Sequence, residues 1–167
     1  MNLFETIPEA KTEYKERLFA TADFVVVLST KARREGILAL EEHLGGWSED
    51  YGTEPPPLTM QKNESNDYDN EAAFTCPFAP GGIEEAVFRR LLMLVVDGME
   101  QEKIADVARY TIAASHEDDV TTLSLMIGIE GILSIQRGDN PRIITILLAS
   151  MMGRTLGDEY CKTRLKD

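Results

Sequence analysis

The sequence predicts an all-α protein, a helical bundle of four to six helices with one long acidic loop insertion. Three observations predict it. Apolar residues recur at helical spacing in one segment after another, and no stretch alternates apolar and polar residues between turn signals as a half-buried strand does. Five of the seven prolines fall between Gly45 and Gly82, which leaves the rest of the chain almost free of helix breakers. At 167 residues and 43% hydrophobic, the chain suffices for a single domain over 1–167 with its own core. No internal repeat is found.

From about Pro8 to Leu44 the residues are good helix formers with no internal proline, and Gly36 predicts a bend in one long helix. Gly45 to Gly82 holds seven acids and one lysine, Lys62, and its middle has neither helical nor strand period, so it reads as an acidic loop. Trp47, Tyr51, Phe74 and Phe78, at the two ends of the loop, are the side chains able to pin it to the body. Val87, Phe88, Leu91, Leu92 and Val95 then share one helical face, and Gly98 is placed to close that helix with a left-handed cap.

Glu100 and Glu102 suit the positive pole of the next helix, which carries Ile104, Val107, Ala108, Thr111 and Ser115 on one face and stops around His116 to Asp119. Val120 to Gln136 is apolar on nearly every side, so this helix belongs in the centre of the bundle. Gly138 ends it, Asp139 or Asn140 caps the next, Pro141 occupies its first turn, and Ile143 to Met152 continues it. Arg154 to Asp167 is polar and weakly helical. Met93, Met126, Met151 and Met152 fall at core spacing.

Charge and cysteine usage exclude several classes of function. Seventeen basic against 29 acidic residues give a net charge of -12, which argues against nucleic acid or an anionic membrane as a partner. Two cysteines, Cys76 and Cys161, cannot form a disulfide framework, and reduced thiols in the cytoplasm are the expectation. The N-terminal residues mix acids with bases and lack a continuous apolar core, unlike a signal peptide. A membrane span takes about 20 mostly apolar residues. Phe24 to Leu28 is too short for one, and Leu123 to Ile135 contains Glu130.

Residue clusters of chemical interest have structural readings. His116, Glu117, Asp118 and Asp119 lack the i, i+4 histidine pair of a zinc site, so they read as a helix stop followed by an N-cap. Gly45-Gly46 and Gly81-Gly82 follow no strand and precede no phosphate-binding pattern, so no nucleotide cofactor is expected. Cys76 has no local base, and His43 and His116 are distant in sequence. Glu130, on an otherwise apolar helix, calls for a cationic partner, with Arg89, Arg90 and Arg142 as candidates.

Three blocks carry a resemblance. Leu28 to Leu44 (LSTKARREGILALEEHL) resembles the first cytoplasmic segment of the flagellar motor stator family MotA, with its pattern A-R-R-E-G-L-L-A-L-E. Val87 to Ile104 (VFRRLLMLVVDGMEQEKI) is similar to that family's F-L-R-R-G-L-x-L-V-V-D-G-x-D-P-E. Ile129 to Ile144 (IEGILSIQRGDNPRII) is similar to I-E-G-I-L-A-I-Q-E-G-x-N-P-R. The blocks come in the family's order and cover about 50 residues. Both pairs of membrane helices of the family are missing: the helix from Glu100 joins the helix from Val120 through Ser115 to Asp119, where the family places a membrane hairpin.

The resemblance implies a cytoplasmic domain that conducts no ions, since the family's ion path lies among its membrane helices and the MotB partner. What it leaves is docking on a charged rotor partner, the C-terminal region of FliG. The family's contact charges, a basic residue opening the R-R-E-G block and a glutamate closing it, fall on Arg33 and Glu41, with Arg34 and Glu42 beside them. On one continuous α-helix, residues eight apart lie about 80° from each other, so Arg33 and Glu41 would serve one partner helix. The bland reading of these charges is a solvated helix face, with the Arg33 stem against Ile37, Leu40 and Leu44. The family's ring assembly also implies a homo-oligomer, although the missing helices remove most of what would hold a ring. The sequence thus points to a non-enzymatic protein–protein interaction module without metal or cofactor. The alternative is a helical scaffold or adaptor that self-associates or binds an unrelated partner through its acidic loop.

Overall fold

The computed structural model describes residues 6–44, 77–79 and 81–165. Its elements are a 3-10 turn at Thr12–Tyr14, α1 (Lys15–Glu35), a 3-10 helix at Ile37–Leu44, α2 (Ile83–Val96), α3 (Gln101–Ser115), α4 (Asp119–Arg137), α5 (Pro141–Ser150) and α6 (Gly153–Arg164). The fold is all-α, as the residue pattern predicts, and no strand occurs among the described residues. No described helix is long and apolar enough to cross a membrane.

Helix α4 forms the centre. Thirteen of its residues are buried, from Thr121 and Leu123 through Ile135, as expected of a helix apolar all round. Two glycines let neighbours approach it closely. Gly128 receives the ring of Phe88 from α2, and Gly131 receives Val25 from α1; a Cβ at either position would fall within 2.3 Å of those side chains.

Cross-helix contacts fix the directions. Arg17 donates to Thr121 Oγ1 at 2.9 Å and also pairs with Glu84. Ser124 donates to Glu84 at 2.6 Å and lies 2.7 Å from Thr21 Oγ1. Further along, Val25 meets Gly131, Phe88 meets Gly128, and Arg33 reaches Gly138. Increasing residue numbers therefore match on α1, α2 and α4, which run parallel. Helix α3 returns antiparallel: Gln101 reaches Leu133 O, and Gln136 donates to Met99 O at 2.7 Å. The bundle thus has a base, where α1 begins and α3 meets α4, and an apex, where α1, α2 and α4 end.

Capping follows the sequence reading closely. Gly98 (φ 80°) closes α2, with Met99 N–H donating to Leu94 O, and Gly138 (φ 78°) closes α4, with Asp139 N–H donating to Ser134 O. Asn140 accepts from Arg142 N–H ahead of Pro141. The His116 cluster is a stop and a cap: His116 takes the left-handed conformation at φ 51°, and Asp118 accepts from Thr121 N–H. Hydrogen bonds from Thr121 hold the Asp118 carboxyl below the usual carboxylate range.

Several expectations are corrected. The first helix begins at Lys15 after a 3-10 turn rather than at Pro8, and at Gly36 it breaks rather than bends. The C-terminal segment is a full helix tied to α1. Tyr160 is buried against Phe19, and its hydroxyl donates to Asp23 at 2.8 Å. Arg164 grips both Asp23 oxygens at 2.9 Å, and Lys15 pairs with Glu159. Glu130 is partly solvated and faces Arg137 at 3.4 Å. None of its three expected partners takes that role: Arg89 is spent on buried Glu85, while Arg90 and Arg142 are exposed.

Of the aromatic residues expected to pin the acidic loop, Phe78 is buried between Phe24 and Phe88, with ring centroids at 4.9 and 5.0 Å. Trp47, Tyr51, Phe74, Cys76 and the loop's middle lie outside the described residues. Met126, Met151 and Met152 are buried as expected, and Met93 is half-buried.

Candidate protein-interaction site

The three blocks singled out in the sequence are far apart along the chain, yet each ends at the apex. The first supplies the last turns of α1, Gly36 and the 3-10 helix; the second supplies α2 and the Asp97-Gly98 turn into α3; the third supplies the end of α4 and the start of α5. Parallel packing of α1, α2 and α4 produces this gathering, because each block straddles the C-terminal end of one of these helices.

Arg33 occupies the last turn of α1. Its side chain is exposed, and Nη1 donates to Gly138 O at 3.2 Å, tying α1 to the α4–α5 turn. A cation there also suits the negative pole of two helices that end together. Arg33 is exposed as a whole, whereas Leu40, one of the residues its stem was expected to lie against, is fully buried. Arg34 is exposed on the same turn, and Lys31 lies 3.8 Å from Glu35.

Gly36 then sets the geometry. Its φ of 93° and ψ of 160° belong to a region that side chains essentially exclude, so α1 cannot continue. The chain resumes as eight residues of 3-10 helix, Ile37–Leu44. Arg33 and Glu41 therefore do not share one α-helical face, and the expected 80° relation does not hold. With about three residues per turn, positions i and i+3 eclipse. Ile37 and Leu40 point inward, half-buried and fully buried, while Leu38 and Glu41 point outward, with Leu38 69% exposed. Glu41 is exposed; the side chain of Glu42 lies outside the described residues.

On the other side of Arg33, Arg137 bridges Glu130 and Asp139, at 3.4 and 3.1 Å, and steadies the turn whose carbonyl Arg33 engages. Arg142 and Ile143 are exposed on the first turn of α5. The apex therefore offers fixed backbone, cations, an anion and exposed apolar side chains, which is the chemistry of recognition by another macromolecule.

Sequence reasoning missed Leu38, Ile143 and the Gly138 carbonyl. The available signal was positional: all three blocks contain a glycine at a helix end. Among the described residues, no group of three or more His, Cys, Asp or Glu side chains gathers to hold a metal. In comparisons with known proteins, no protein-family model matches the chain, and no curated protein or solved structure does either.

Proposed function

We propose that this chain is a non-enzymatic interaction module, similar to the cytoplasmic domain of the MotA stator family, that docks its apex on a charged rotor partner of the FliG type. The observation carrying this reading is the convergence of the three MotA-like blocks on one end of the bundle. A resemblance arising from helix composition alone has no reason to gather in space. The base offers further support: α1 starts there and α3 meets α4 there, so both points at which the family carries membrane helices fall at the end opposite the docking charges.

Arg33 and Glu41 carry the contact, with Arg34 and Glu42 adjoining. Exposed ion pairs contribute about 0 to 1 kcal/mol each, so the charges set orientation and register in a transient complex. The test is a titration of the whole protein with the C-terminal domain of FliG at about 50 and 200 mM salt, a range over which screening changes appreciably. Micromolar affinity that weakens with salt is expected. Arg33→Glu should weaken it further while leaving the far-ultraviolet circular dichroism spectrum unchanged; absence of wild-type binding at either salt refutes the proposal.

A further inference from the structure

The outward ridge of the 3-10 helix pairs an apolar side chain with an acidic one, and nothing in the charge-based reading uses the apolar member. Leu38 is the most exposed large hydrophobic residue among those described, at 69%. A single exposed leucine is ordinary on a protein surface; what distinguishes Leu38 is its mounting. The preceding glycine fixes the direction of the helix, Leu40 anchors its inner face in the core at 0% exposure, and the 3-10 repeat stacks Leu38 directly over Glu41. The pair is thus presented on a backbone held at both faces, so little ordering remains to be done on binding.

From this we infer that Leu38 is the apolar anchor of the docking surface, and that the partner offers an apolar seat with a cationic side chain beside it. Charge complementarity selects that partner: Glu41 lies one 3-10 turn from Leu38 on the same ridge, so a cation placed beside the seat meets a carboxylate in register. The division of labour follows from the size of each effect. An exposed ion pair contributes little and is screened by salt, whereas burying a leucine side chain contributes enough to change affinity about tenfold or more and is insensitive to screening.

This inference rests on the proposed function, and the experiment separates the two. The FliG C-terminal domain is titrated at about 50 and 200 mM salt against wild type, Leu38→Ala, Leu38→Met, Glu41→Gln and, away from the apex, Tyr110→Ala on α3. Leu38→Ala should weaken binding about tenfold at both salts, with an unchanged melting temperature because the side chain is largely exposed. Leu38→Met should bind like wild type. The Glu41→Gln loss should shrink at the higher salt, and Tyr110→Ala, which removes a side chain 65% exposed, should bind normally. If wild type binds and Leu38→Ala binds within about twofold of it, the anchor assignment is overturned while the docking proposal stands. The assignment is equally overturned if Tyr110→Ala loses affinity and Leu38→Ala does not. No wild-type binding at all removes both.

Discussion

Gly131→Ala is the substitution for which the fold makes its sharpest claim, because helix propensity and packing predict opposite signs. In a helix interior alanine is favoured over glycine by about 1 kcal/mol. At Gly131, however, an ideal Cβ falls 2.1 Å from Val25 Cγ1, 2.9 Å from its Cβ and 3.0 Å from its Cγ2. Carbon atoms in contact sit about 3.5 to 4.0 Å apart. Rotating the valine moves its methyl groups but leaves its Cβ in place, so α1 and α4 must separate by at least about half an ångström. Overpacking of this kind costs about 1 to 3 kcal/mol. Val25 is fully buried and backbone displacement is unavoidable, so the upper end applies, and the net loss is about 2 kcal/mol.

For a chain of this size, that loss lowers the melting temperature by about 4 to 8 °C. Urea titrations followed by circular dichroism at 222 nm measure it directly. The double variant Val25→Ala/Gly131→Ala removes both methyl groups from the clash and should lose less than the sum of the single variants, with a coupling of about 1 kcal/mol. A Gly131→Ala protein as stable as wild type, or more stable, would refute the argument that α1 and α4 touch at this glycine. The result also bears on the resemblance, since Gly131 is the glycine of the I-E-G-I-L block and the structure gives it a packing role.

Tyr160 and Gly36 yield two further expectations. Burial, together with the neighbouring Asp23 carboxylate, pushes the Tyr160 hydroxyl far above the ordinary tyrosine range. The unfolded chain releases that proton near pH 10 and the folded chain keeps it. Stability should therefore fall above about pH 10, by up to about 1.4 kcal/mol per pH unit from this group, and Tyr160→Phe should lack that component. The rise in absorbance at 295 nm with pH in the folded protein should be the same for wild type and Tyr160→Phe; a smaller rise in the folded variant would contradict the buried hydroxyl. Gly36→Ala meets no steric obstacle, as nothing lies within 4 Å of the added carbon, but its backbone conformation costs a side chain about 1 to 3 kcal/mol. It should destabilise by that amount and disturb docking through the 3-10 helix; a neutral result in denaturation would mean that the break at Gly36 is not required.

The parts of the fold visible in the sequence were those in which local chemistry and tertiary context agree. Helix α4 is apolar on every side and has no place except the centre, and Gly98, Gly138, Asn140 and Pro141 are caps whose chemistry is independent of the rest of the chain. Gly36 was less legible. Whether a glycine bends a helix or breaks it depends on what lies beyond, here Leu40 seeking the core between α1 and α2. Helix α6 reads as weak because it buries only Leu156, Gly157 and Tyr160. Its hold comes from polar ties to Asp23 and Lys15, residues more than 130 positions away, for which no periodicity exists. Glu130 likewise takes its cation from Arg137, seven residues along its own helix, because Arg89 is committed to Glu85. For the candidate site, the residue types were readable and their arrangement was not. Only the parallel course of α1, α2 and α4 brings the blocks together, and helix direction leaves no mark on sequence spacing.

That parallel course gives the molecule an electrical axis. Each helix carries about half a positive charge at its start and half a negative charge at its end. Helices α1, α2 and α4 all point their negative poles at the apex, and α6 runs in the same sense beside α1, with α3 and α5 opposed. Arginines in the last turns of α1 and α4 offset two of these poles, whereas the last turn of α2 has no basic residue and ends at Asp97. The apex is therefore electrically uneven, offset by arginines on the Arg33 side and at the end of α2 only by the positive start of α3, so an approaching dipolar surface experiences a torque before it makes contact. Reversing the charge at Arg33 would remove that offset as well as its hydrogen bond to Gly138 O, so in the docking we propose it should change the orientation of the encounter as well as its strength.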